Sequence, residues 1–296
     1  MAVITITGSL FPAVGSLALV MIPVNEAKVA FDRMYEIVDA EEEKNGETDG
    51  QDLPAEVLET KGLAFRFVGR RRIFEDVSLR FSKGTITCVV GESGCGKSKL
   101  CQVLERFYAP EEGEILLDGR TSREIPLEQW RSLVSVIPQE IFLYNGTVLE
   151  NICFGSVPKG INEVVDFCKQ YGFDKFIAEL PNGLGTLVGE EGINLSGGQK
   201  QLIAFARALY KPSRILILDE MTAAMDRRTE KHIWSLLDKL RENRIIIFVT
   251  HRLETARLLA DIIVVMDSGR ITAHGSHDDL MRSDNFYSEY WKSMMR

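Results

Sequence analysis

A lysine and a hydroxyl close a glycine-rich run, Gly91-Glu92-Ser93-Gly94-Cys95-Gly96-Lys97-Ser98, which fits G-x-x-x-x-G-K-[ST] at every position. Two adjacent acids, Asp219 and Glu220, follow the apolar run Ile215–Leu218. These groups suit a nucleoside triphosphate with Mg²⁺. Lys97 is expected to reach the β- and γ-phosphates and Ser98 to ligate Mg²⁺. Asp219 would hold the same ion, directly or through water, and Glu220 would polarise a water for attack on the γ-phosphorus. A second glycine-rich segment, Leu195-Ser196-Gly197-Gly198-Gln199, opens an apolar helix. It is expected to turn free N–H groups and a hydroxyl toward an anion. If both segments lie on one face, the second cannot reach the first within a compact monomer. The pair predicts two copies closing on ATP between them.

The flanks supply the elements these groups need. Ile86–Val90 reads as a buried strand and Leu100–Leu104 as a helix, with the glycines letting the backbone curl between them. Four consecutive apolar residues before Asp219 suit a parallel strand covered on both faces. Ligands bind beyond the carboxyl ends of such strands. Ile245–Val249 is another apolar strand and leads through Thr250 to His251. Alternation between Val57 and Phe81 predicts an antiparallel subsheet.

Taken together, these segments resemble the nucleotide-binding domain of ATP-binding-cassette (ABC) transporters, from about Leu58 to the C-terminus, with every motif in family order. LSGGQ followed by Lys200-Gln201 and Ala204–Leu209 is close to the family signature. By this resemblance, Phe67 matches the aromatic that stacks on adenine; the alternation of Leu63–Phe67 also permits simple burial. Gln139, after Ser135–Pro138, matches the glutamine that senses Mg²⁺ and the attacking water. Asp226 matches the D-loop aspartate, and it is also a candidate N-cap for the helix carrying Ile233, Leu236 and Leu240. His251 matches the histidine that contacts the γ-phosphate. Leu195–Gln199 would face the γ-phosphate held by the other subunit. The implied fold is α/β: a P-loop NTPase core with an antiparallel β subdomain and a helical signature subdomain at about 141–209, preceded by an N-terminal hydrophobic helix.

Four features depart from the family pattern. Lys99 replaces a Thr or Ser beside the α-phosphate, Met221 follows the expected catalytic acid in place of Ala, the D-loop reads Ala-Ala-Met-Asp, and the adenine-side aromatic is Phe67 rather than Tyr. None removes a catalytic group.

Residues 1–25 carry no charged side chain and are long enough to enter a bilayer. No basic region precedes them, which argues against a signal peptide. A helix is expected from Val24, with Phe31, Met34, Tyr35 and Val38 at helical spacing. Residues 1–38 resemble the end of an exporter's last transmembrane helix and its cytoplasmic extension; a helix docked on the domain is the other reading. Residues 39–56 read as an acidic linker and 57–296 as the nucleotide-binding domain. The implied partners are a second nucleotide-binding domain, as a homodimer, and transmembrane domains in cis or on a partner chain. The implied site is the inner or plasma membrane, with this domain on the cytoplasmic side. Bacterial peptide exporters are one weak likeness, and lipid or drug export is equally permitted. A net charge of −8 gives no general affinity for nucleic acid. A single cassette without heptads or a basic patch argues against a soluble ABC ATPase working on DNA or ribosomes. A truncated remnant that keeps ATPase activity without transport is the remaining alternative. The five cysteines lack metal-ligand spacing and suit a reducing compartment.

Overall fold

A computed structural model describes residues 2–39, 53–156, 158, 160–190, 192–221 and 225–294, with the side chains at 2–14, 17, 18, 37 and 294 outside the described set. Most of the expected acidic linker, and Ala223-Ala224 of the D-loop, therefore lie outside the described residues. The chain divides into two units, residues 1–44 and 45–296. The first is a single helix, α1 (Ala2–Val38). It spans both the stretch expected to hold an N-terminal hydrophobic helix and the helix expected from Val24, and runs through Pro12 and Pro23, each of which removes one backbone donor. Among the described residues, no helix is long and apolar enough to cross a membrane.

The second unit holds two main sheets. In the antiparallel one, β1 (Val57–Phe65) lies between β2 (Phe74–Ser82) and β4 (Glu112–Leu117), and β5 (Arg120–Thr121) completes the edge. The sequence pattern covers β1 and β2 only; β4 and β5 join from beyond the P-loop helix α2 (Lys97–Leu104).

The larger sheet is ordered β12 (Arg270–Gly275), β11 (Ile262–Asp267), β3 (Ile86–Val90), β10 (Ile245–Thr250), β9 (Ile215–Asp219), β6 (Val134–Ile137). Every pairing from β11 to β6 is parallel, and only β12 is antiparallel. All residues of β3, β9 and β10 are buried. Their alternate side chains enter two separate cores. Leu216, Leu218, Ile246 and Phe248 pack with Phe173 and Phe205, while Ile215, Ile217, Ile245 and Ile247 pack with Phe81, Leu100 and Trp130. That double burial is why these strands read as unbroken apolar runs rather than alternating ones.

On one side of the sheet stand α4 (Val148–Ile152), α5 (Ile161–Tyr171), α6 (Asp174–Ala178) and α7 (Gly197–Tyr210), with a short hairpin of β7 (Gly146–Thr147) and β8 (Leu187–Val188) among them. α7 packs on α4 and on the edge strand β6. α3 (Leu127–Leu133), α8 (Arg227–Leu240), α9 (Leu253–Leu259), α10 (His277–Met281) and α11 (Phe286–Met294) complete the unit. The consequence for chemistry is simple. β3, β10, β9 and β6 are parallel neighbours, so the segments that follow them leave the sheet at one edge.

Candidate nucleotide site

The segment after β3 is shaped by glycines used in two ways. Gly94 and Gly96 take left-handed backbone angles, φ 85° and 110°. Gly91 is needed for space: a Cβ there would stand 2.0 Å from the Met266 carbonyl oxygen on β11. Lys97 is 6% exposed and lies back over the loop. Its ammonium donates to the carbonyls of Gly91 and Glu92 at 2.9 and 2.8 Å. Cys95 is also buried, with its sulfur 3.8 Å from that ammonium.

Asp219 ends β9 and is 5% exposed. Burial raises its pKa above the ordinary value, against an opposing hydrogen bond from Ser98. Its Oδ1 has no hydrogen-bond partner among the described residues. A buried, unpartnered carboxylate oxygen beside a hydroxyl is a hard-oxygen pair that fits Mg²⁺. Among the described residues, no group of three or more His, Cys, Asp or Glu side chains could enclose a metal.

Glu220 adopts a left-handed backbone, φ 52°, and its N–H donates to the Val249 carbonyl on the neighbouring strand. This turn aims its carboxylate between two other strand ends. Gln139, after β6, donates from Nε2 to Glu220 Oε2 at 3.0 Å. His251, after β10, places Nδ1 2.7 Å from Glu220 Oε1. Toward a carboxylate oxygen, that nitrogen is the donor.

Phe67 is half-buried. It packs edge-to-face on Phe65 and on Tyr108, with centroids 5.2 and 5.3 Å away. Tyr108, an aromatic in the turn beyond α2, belongs to no motif of the sequence. Lys99 also faces this cluster, with its ammonium 5.4 Å from the Phe67 centroid and 5.7 Å from that of Tyr108.

The second glycine segment stands apart from the first. The α7 it opens packs on β6, three strand spacings from β3, or about 14 Å across the sheet. Leu195 is buried in the core, so its side chain is committed to packing. Ser196 and Gln199 form a reciprocal capping box: Ser196 Oγ accepts from the Gln199 N–H at 3.2 Å, and the Ser196 N–H donates to Gln199 Oε1 at 2.9 Å. The expected hydroxyl is therefore partly engaged, but it keeps its own proton to donate. Asp226 caps α8, accepting from the N–H groups of Thr229 and Arg228, and these bonds hold its pKa below the ordinary value. Ser196, Gly198, Gln199 and Asp226 share one cleft of about 760 Å³ with Lys175 and His232.

Arg207 lies on α7, within the signature. It donates to the Asn151 carbonyl and side chain, both at 2.8 Å, and to the Phe142 carbonyl at 3.1 Å. Its guanidinium lies over the rings of Tyr144 and Phe154. The helix that starts at Ser196 is thus fastened to the segment that follows Gln139.

Residues 74–223 match the sequence profile of the ABC transporter family, just over half of the chain. The chain belongs to the ABC transporter family. This ABC transporter chain is 37% identical over 290 residues to an ATP-dependent lipid A-core flippase of Pseudomonas fluorescens (strain Pf0-1), covering 97% of itself and 48% of that protein. It is 38% identical over 267 residues to ABC transporter B family member 21 of Arabidopsis thaliana, covering 87% of itself and 20% of that protein. Among solved structures, a bacterial Atm1-family ABC exporter with ATP bound superposes with a TM-score of 0.82 at 34% identity, over 92% of this chain and 48% of that one. The chain spans about half the length of these bacterial relatives.

Proposed function

We propose that this chain hydrolyses ATP at the carboxyl ends of β3, β10, β9 and β6, as one half of a head-to-tail pair that powers an exporter. The observation that carries the reading is the Glu220 carboxylate, held by His251 and Gln139 beside the buried Asp219.

Each residue then has a role. Lys97 turns its ammonium from the loop carbonyls to the β- and γ-phosphates, while the N–H groups of Gly91–Ser98 surround them. Phe67 offers its ring to the adenine. Asp219, Ser98 and Gln139 would hold Mg²⁺, which would supply charge neutralisation for the phosphates. Glu220 accepts the proton of the attacking water as general base. His251 fixes the carboxylate and presents a ring nitrogen to the γ-phosphate, and Gln139 positions the water. Ser196, Gly197, Gly198 and Asp226 serve the partner's nucleotide, which is supported by the distance of α7 across the sheet from β3 and by the cleft that Ser196, Gly198 and Asp226 share.

The family and the bacterial exporters it resembles support a place at the cytoplasmic face of a membrane, with transmembrane domains in cis or on another chain. In this reading residues 1–38 continue such a domain. The flippase relatives make a lipid the first cargo to test, ahead of a peptide. Glu220→Gln should retain ATP, lose at least about a hundredfold in phosphate release and accumulate a dimer in gel filtration. Turnover at the parent rate would remove Glu220 from its role.

A further inference from the structure

His232 is exposed, yet its ring is held in place. It lies on α8, and its Nε2 stands 3.1 Å from the carbonyl oxygen of Tyr171, the last residue of α5. A carbonyl only accepts, so this nitrogen donates. The bond satisfies one of the carbonyls that a helix leaves free at its C-terminus. Gly172 makes room for the ring. A Cβ there would stand 2.8 Å from Cε1 and 2.9 Å from Nε2 of the imidazole. The same glycine ends α5 with a left-handed backbone, φ 74°.

Both ends of this bond lead to the cleft that Ser196, Gly198 and Asp226 share, which Gly172 and His232 also line. On one side, Asp226 caps α8 six residues before His232, about 9 Å along the helix. On the other, Phe173 packs edge-to-face on Phe205 of α7, with centroids 5.9 Å apart, and Ser196 opens that same helix. The bond thus joins the helix capped by Asp226 to the one capped by Ser196. A single exposed hydrogen bond adds little to global stability, so its main effect is on spacing.

We infer that His232 is a positioning residue: its bond to Tyr171 sets the gap between Asp226 and Ser196, the two edges that receive the partner's nucleotide. This inference rests on the head-to-tail reading above. A neutral imidazole protonated on Nε2 makes the bond, as does an imidazolium, and the amide N–H of a glutamine can replace either. The chain's own nucleotide site, at Lys97 and Asp219, contributes nothing to it. Loss of the bond therefore spares nucleotide binding by the single chain and weakens pairing on ATP.

The test is specific ATPase activity against protein concentration on the full chain, with ADP affinity measured beside it by titration calorimetry. His232→Ala should raise the concentration for half-maximal activity about tenfold and leave ADP affinity within about twofold. His232→Gln should return that concentration to within about threefold of the parent. Gly172→Asn tolerates the left-handed turn and fills the space of the ring. It should act as His232→Ala does, and it carries the comparison if His232→Ala does not fold. An unmoved concentration dependence in His232→Ala, or a loss that His232→Gln does not restore, would overturn the inference and leave the head-to-tail reading intact. An equal loss of ADP affinity would reduce His232 to a support for the fold and overturn it too. A parent chain whose specific activity does not change with concentration would overturn both.

Discussion

His251 Nδ1 lies 2.7 Å from Glu220 Oε1, and the two residues follow neighbouring parallel strands. The imidazole fixes one carboxylate oxygen while Gln139 fixes the other. If this orientation serves catalysis, His251→Ala should lower turnover about a hundredfold or more and change ATP affinity less than about threefold. Phosphate release and equilibrium titration measure the two separately. A variant that loses affinity and keeps kcat would instead make His251 a binding group.

Ser196 offers a way to separate helix capping from anion binding. Ser196→Ala removes the capping box and should lower the free energy of unfolding by about 1 kcal/mol. Ser196→Asp restores an equally good cap but sets a negative charge where a phosphate is expected. It should unfold within about 0.5 kcal/mol of the parent and lose more than about tenfold in ATPase activity. An active Ser196→Asp chain would confine Ser196 to capping.

Glu105, at the end of α2, has its pKa pushed up from 4.5 to about 7, chiefly by burial and then by the nearby Asp219. The folded chain therefore holds this proton between about pH 4.5 and 7, where the unfolded chain has released it. Stability from this group falls as pH rises through that window, and the loss is complete above it. Glu105→Gln should match the parent near pH 4 and be more stable by ~3 kcal/mol at pH 8. Urea unfolding at both values checks this, and a difference independent of pH would contradict it.

Gly91→Ala tests the wall beneath the phosphate loop. The new methyl would meet backbone, not a flexible side chain, so Met266 or the loop must move. ATP binding should be lost, or weakened at least about a hundredfold, while the far-UV circular dichroism stays that of the parent. Retained affinity would show that the loop re-forms around the methyl.

The groups of the nucleotide site were legible where a motif is contiguous. Gly91–Ser98 and Ile215–Glu220 each carry their strand, turn and acid or base within a few residues, so local pattern sufficed. The left-handed backbone of Glu220 carries no such signal, because it comes from the bond to Val249 on another strand. Tyr108 and the turn of Lys99 toward two rings depend on β1 arriving beside α2, a tertiary event. The Asp226 cap is legible in the sequence as a candidate, whereas the Ser196 capping box follows from a side-chain choice made in three dimensions. α1 also extends through two prolines at which local propensity argues for a break.

The order in which the chain is made gives the phosphate loop an unusual dependency. β3 lies between β10 and β11, and its first N–H is held by Asp261, 175 residues further along. Gly91 rests on Met266, later still. On a ribosome, Lys97 emerges long before Asp261 and Met266. A nascent chain that stops short of Met266 has the glycine loop but not the wall against which Gly91 rests. The capacity to grip a triphosphate should therefore arrive with the closing strand, so that unfinished chains draw no ATP while they fold.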